Sequence, residues 1–188
     1  MMVRVIAGNF KRLSLRSPRG LTTRPTADRL KETVFNLIQQ EIEECRFLDC
    51  YAGSGSIGIE ALSRGAQRVV FIESAPPAIQ AIQANLRSLP LTLRETVSLL
   101  KKPVHIAIRM LQHQAEKFDI VFVDPPYPAV QEYAQVLGLL HHCQVLSEHA
   151  RVIVEHSNHF NLPVELEGLN KSREVKQGDS RLSLYQPT

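Results

Sequence analysis

The chain has 188 residues and a mass of 21.2 kDa, the size of one domain of about 150 residues with a small appendage. Apolar residues make up 44% and charged residues 22%, which excludes global disorder. The three cysteines Cys45, Cys50 and Cys143 show no C-x-x-C spacing, and no apolar run approaches the ~18 residues of a membrane span, so a disulfide scaffold, a zinc cluster and a membrane anchor are not expected. The first residues lack a long apolar run, and a cytoplasmic protein is expected.

Residues 2–7 and 11–16 alternate between apolar and polar around Gly8-Asn9, which predicts a β-hairpin. This segment is basic. Residues 1–35 hold eight Lys and Arg against two acids, or +6; the remainder holds fourteen against seventeen, or −3. A basic arm on a near-neutral body suits a phosphate backbone, with Arg4, Lys11, Arg12 and Arg16 as candidate RNA contacts. Leu30, Val34, Leu37, Ile38 and Ile42 share one helical face, predicting a helix over 26–44 capped by Thr26. Thereafter the chain alternates: strand 47–50, helix 56–64, strand 68–73, helix 76–88, an ambiguous stretch 91–101, a short strand 103–107, strand 118–124, helix 129–142, strand 150–156 and a hairpin over 173–186 turning at Gly178-Asp179. Alternating strands and helices predict a mostly parallel α/β sheet covered on both faces, with ligands beyond the carboxyl ends of the strands.

Two constellations carry chemistry. The first leaves strand 47–50: Asp49, Tyr51, Ala52, Gly53, Ser54, Gly55 and Gly58, with Glu73 ending the next strand. The glycines let backbone approach a ligand, and Glu73 can accept from both hydroxyls of a ribose. A dinucleotide and S-adenosylmethionine both fit this order. Asp49 would repel a pyrophosphate and attract a cationic amino-acid moiety. The second is Asp124-Pro125-Pro126-Tyr127, after the apolar run FDIVFV. Asp124 and the Pro125 carbonyl can accept the two N–H bonds of a conjugated NH2, turning its lone pair toward an electrophilic methyl; Tyr127 can stack on a flipped-out base.

The segments RVIAGNFKRLSL, TRPTADRLKETVFNLI, FLDCYAGSGSIGIEALSRGAQRVVFIE and DIVFVDPPY, with the weaker KQGDSRLSLYQ, resemble the RsmD-type 16S rRNA guanine-N2 methyltransferases of class I. The resemblance implies a Rossmann-like three-layer sandwich, an antiparallel C-terminal hairpin, and residues 1–22 as a basic extension of a methyltransferase domain over 23–188. It implies S-adenosylmethionine held by Arg24, Pro25, Thr26, Asp49, Tyr51, Ala52, Gly53, Ser54, Gly55, Gly58, Glu73, Ser74 and Asp124. Asp124, Pro125, Pro126 and Tyr127 would hold the guanine. Where the family places a polar residue before an alanine near the adenine, this chain has Ile106 before Ala107, and residue 74 is Ser rather than an acid or amide. The implied substrate is 16S ribosomal RNA, free or in a small-subunit assembly particle, and the implied state is a monomer. The DPPY motif alone also permits a DNA adenine or protein glutamine methyltransferase, and a noncatalytic RNA-binding protein could keep the fold. The seven histidines show no metal-ligand spacing, and no metal is expected. Cys50 is expected as a small buried apolar residue rather than a nucleophile.

Overall fold

The computed structural model describes residues 3–18, 26–93, 95–126, 130–166 and 168–188. In chain order the elements are β1 (Val3–Arg4), β2 (Ser14–Leu15), α1 (Thr26–Leu37), β3 (Arg46–Cys50), α2 (Ser56–Ser63), β4 (Arg68–Ile72), α3 (Pro76–Arg87), β5 (Val97–Leu100) and α4 (Val104–His113). There follow β6 (Phe118–Val123), α5 (Val130–His142), β7 (Leu146–Ser157), β8 (Glu165–Leu166), β9 (Leu169–Gln177) and β10 (Ser180–Pro187).

Alternation along the strands sorts the core into two layers. Phe47, Val69, Phe71, Ile120, Phe122 and Ile153 pack with α1, α2 and α3. Leu48, Cys50, Val70, Ile72, Val121 and Val123 point the other way and pack with α4 and α5. The sheet between them has the order β5-β4-β3-β6-β7-β10-β9-β8. Strands β3 to β7 are parallel, and β8, β9 and β10 are antiparallel. The chain steps outward from β3 to β4 and β5, then returns to lay β6 on the other side of β3. That reversal is a topological switch point, where loops leaving β3 and β6 part and leave a crevice. The hairpin turning at Gly178-Asp179 forms as expected, with Ser180 opposite Gln177.

The structure departs from the sequence expectations in three places, the first in extent only, since the N-terminal hairpin forms. The N-terminal strands are two residues each, pairing Val3 with Leu15. The loop between them is held by α2 instead: Ile6 and Ala7 donate backbone N–H to the Glu60 carboxylate at 2.7 and 2.9 Å, and Asn9 donates to the Ser63 carbonyl at 2.7 Å. Buried Glu60 also pairs with Arg64 at 2.8 Å and Lys31 at 3.9 Å. Lys31 is 1% exposed and donates to the Arg4 carbonyl, so it leaves the basic surface and joins a buried network. Second, α1 stops at Leu37, although Ile38 and Ile42 still reach the core. Continuing the helix would set Glu41, Glu43 and Glu44 at its negative C-terminal end. Third, 103–107 is not a strand. Val104, Ala107, Ile108 and Leu111 are the buried residues of α4, spaced at the helical period.

Candidate active site

Strand β3 alternates its side chains, so Asp49 faces α2. It is 2% exposed, and its Oδ2 accepts the Gly58 N–H at 2.9 Å. The cap position of α2 is Gly55, which has no side chain to accept a helix N–H, and Asp49 supplies that acceptor from the strand. Burial pushes the Asp49 carboxyl up to about 7; the Gly58 N–H lowers it, and the Glu73 charge raises it. The turn after β3 runs through left-handed backbone at Tyr51 (φ 62°), Gly53 (φ 57°) and Gly55 (φ 75°). A Cβ on Gly53 would meet nothing closer than the Tyr51 carbonyl at 4.0 Å, so this stretch of backbone is open to a ligand. A Cβ on Gly58 would lie 2.3 Å from the Phe71 ring, so that glycine serves helix–strand packing.

Glu73 follows β4. Its two oxygens accept N–H groups from Gly53 at 2.8 Å, Ser74 at 2.7 Å and Ala75 at 2.8 Å. A carboxylate offers about four lone-pair directions, so three hold the loops and one remains for a hydroxyl. The expectation that Glu73 takes both ribose hydroxyls is thereby narrowed: it is first an anchor of the glycine turn.

Beyond β6 stand Asp124, buried Pro125 and exposed Pro126. Cys50 pairs with Val123 across the switch point, so the loops that follow Cys50 and Val123 leave adjacent strands at one level, with Asp49 two residues below Asp124 in the register. Asp124 is pushed well above the usual carboxylate range by burial, then by the charges of Glu155 and Asp49. The Tyr51 hydroxyl donates to Glu132 of α5 at 2.8 Å, which ties the glycine turn to the helix that follows the Asp124 loop. Tyr133 on the same helix is 3% exposed, and its hydroxyl has no partner among the described residues. Cys50 is fully buried and its thiol is pushed well up by burial, which suits packing rather than nucleophilic attack.

Other predicted residues are placed as follows. Tyr51, Ala52, Gly53, Ser54, Gly55 and Ser74 line the turns at the carboxyl ends of β3 and β4. Ile106 is in the first turn of α4 and 41% exposed, whereas Ala107 is 0% exposed and turns into the core. The assignment of Ala107 to a strand is corrected accordingly; the backbone at the end of β5 is Leu100, whose carbonyl accepts the Glu73 N–H at 3.1 Å. Arg4, Lys11, Arg12 and Arg16 are exposed, and Arg4 is paired with Asp28 at 3.2 Å. Arg24, Pro25, Tyr127 and the Thr26 side chain lie outside the described residues.

Sequence reasoning missed Asn85. It is 2% exposed; its Nδ2 donates to the Ser54 and Arg16 carbonyls at 2.9 Å, and its Oδ1 accepts the Arg16 N–H at 2.7 Å. The signal was available: Ala78, Ala81, Ile82 and Asn85 form one buried helical stripe, and Asn85 is its only polar member.

The donor set decides between the two cofactors. A pyrophosphate at the N-terminus of α2 would meet the Asp49 carboxylate on the Gly58 N–H it needs. The same carboxylate favours a cation, and Glu73 keeps an acceptor for a ribose hydroxyl, so the residues present fit S-adenosylmethionine.

Comparison with known proteins agrees. The family model described as Conserved hypothetical protein 95 matches residues 3–186. The chain belongs to this family. It is 35% identical over 183 residues to YlbH of Bacillus subtilis, covering 97% of this chain and 98% of that protein. It is 32% identical over 184 residues to Ribosomal RNA small subunit methyltransferase D of Escherichia coli, covering 98% and 89%. The solved structure of yhhF from Escherichia coli superposes with a TM-score of 0.83 at 28% identity, covering 100% of this chain and 98% of that one. The chain and that structure thus share this fold end to end, and the chain is an S-adenosylmethionine-dependent methyltransferase.

Proposed function

We propose that this methyltransferase modifies the exocyclic N2 amine of a guanine in 16S ribosomal RNA, free or in a small-subunit assembly particle. One observation carries the reading: Asp124, with no N–H donor among the described residues, stands one strand away from the cofactor turn at the switch point. When bound, S-adenosylmethionine supplies an electrophilic methyl on a sulfonium. The protein's residues supply alignment, worth up to ~7–11 kcal/mol in favourable cases. Asp49 faces the cationic end and Glu73 the ribose. Arg24, Pro25 and Thr26 would help hold the cofactor, as the family resemblance implies. Asp124 and the Pro125 carbonyl would accept the two N2 hydrogens, which draws the nitrogen lone pair out of conjugation with the ring and turns it toward the methyl. Tyr127 would supply a ring for the base to stack on. The amine becomes acidic only as its new bond forms, so no strong base is required; Asp124 accepts that proton late or passes it to water.

Residues 1–22 form the RNA-binding extension in this reading. Lys11, Arg12 and Arg16 project from it into solvent and would neutralise phosphates, while base choice belongs to the pocket. The test is transfer of a labelled methyl to undermodified small-subunit particles, followed by nucleoside analysis. N2-methylguanosine is expected. Label on adenine or on a protein amide would assign the site to another amino-group substrate.

A further inference from the structure

Four strands of the sheet lead into an acid: Asp49 within β3, Glu73 after β4, Asp124 after β6 and Glu155 within β7. The reaction proposed above uses three of them and leaves Glu155 without a task. Strands β6 and β7 are parallel with Val123 beside Val154, so one residue further along Asp124 stands beside Glu155. Phe122 and Ile153, two residues earlier in each strand, pack into the same core layer, so alternation sends both carboxyls to one face. That is also the face of Asp49, whose strand neighbour Phe47 packs in the same layer.

Asp124 and Glu155 are half-buried, and an acid withdrawn from water for the sake of the fold normally takes a cation or several N–H donors. Glu155 has neither among the described residues; the group that favours its charge is the Ser180 side chain. Burial raises its carboxyl, and Asp124 is raised in part by the charge of Glu155, so two like groups are held together against their repulsion. Such an arrangement is relieved by donors that arrive from outside.

We infer that Glu155 accepts the N1–H of the target guanine while Asp124 holds the adjacent N2 amine. The inference rests on the guanine-N2 reading. Guanine presents N1–H and N2–H side by side on its Watson–Crick edge, two donors for two neighbouring carboxyls. A purine with a bare N1 offers a lone pair there and leaves Glu155 desolvated and unpaired. Glu155 therefore sets the choice of base, and Asp124 aligns the nitrogen that is methylated.

2-Aminopurine separates the two roles, because it keeps the exocyclic amine and has an unprotonated N1. The methylated guanine is first mapped in particles treated with the unaltered protein. Particles are then assembled with guanine or 2-aminopurine at that position. The unaltered protein is expected to prefer guanine. In Glu155→Gln the amide can donate to a bare N1, and the guanine to 2-aminopurine ratio of kcat/KM should fall by about tenfold or more. Cofactor affinity by calorimetry should be unchanged, which a merely misfolded variant would not show. An unchanged ratio in Glu155→Gln overturns the inference whatever the absolute rate. If that variant fails to bind cofactor, Glu155→Asp is read instead. Withdrawing the carboxylate by one methylene should lower the guanine rate about tenfold and spare 2-aminopurine, and an unaltered guanine rate overturns the inference. Absence of N2-methylguanosine with the unaltered protein would instead refute the guanine-N2 reading itself.

Discussion

On the β3–β4 side of the cleft, Asp49 and Glu73 accept four backbone N–H groups: Gly58 on Asp49, and Gly53, Ser74 and Ala75 on Glu73. On the β6–β7 side, Asp124 and Glu155 accept no backbone N–H among the described residues, and burial raises each carboxyl, with the Ser180 side chain lowering that of Glu155. The first pair uses its charge to build a rigid turn before any ligand arrives. In the proposed reading, the second pair keeps acceptors for a substrate to fill. If the proposed reading holds, acids at equivalent strand ends divide into scaffold and reader, and substitutions should separate the two.

The largest expected effect is on the reader side. Asp124→Ala should lower turnover by about a thousandfold or more, because orientation is the protein's main contribution. A rate within tenfold of the parent in a labelled-methyl assay would break the division. On the scaffold side, Glu73→Ala leaves three N–H groups without their acceptor and should weaken cofactor binding about 10- to 100-fold, roughly 1.4–2.8 kcal/mol. Calorimetry reads this directly, and kcat at saturating cofactor should change far less than in Asp124→Ala.

Asp49→Asn gives a smaller, pH-dependent effect. The amide oxygen still accepts the Gly58 N–H, but the charge is gone. The carboxyl sits near 7 in the fold against an ordinary 3.8, so its contribution to stability is present below about pH 4 and lost as pH rises through 7. The asparagine variant should therefore melt above the parent at pH 8, with the gap closing by pH 4, while its cofactor affinity at pH 8 falls about tenfold. Equal melting temperatures at both pH values would remove Asp49 from this role. The smallest effect belongs to the arm. Replacing Lys11, Arg12 and Arg16 with Ala should flatten the plot of log RNA affinity against log salt by about 2 to 3 in slope, with cofactor binding unaltered.

Much of this site was legible in the chain because it is local. The glycine turn, the acid 20 residues after Gly53 and the proline pair each follow an apolar strand within a short window. What escaped depends on distant pairing or on a choice between periods. Glu155 ends a run as apolar as those before Asp124 and Glu73, yet its meaning comes from lying next to β6, which only the sheet order reveals. Residues 104–108, VHIAI, alternate like a strand over five positions, and only Leu111 and the packing of Ala107 and Ile108 settle the helical period. The shortening of α1 was hidden because Ile38 and Ile42 keep their place in the core after the helix has ended.

The central claim is that cofactor and base meet where β3 and β6 part. A single compound joining S-adenosylhomocysteine to guanine through its N2 tests that meeting without RNA. The account predicts that it binds at least tenfold more tightly than S-adenosylhomocysteine alone, and that Asp124→Ala abolishes the gain while leaving the affinity for S-adenosylhomocysteine within about twofold. Equal affinity for the two compounds, or a gain that survives in Asp124→Ala, would contradict it.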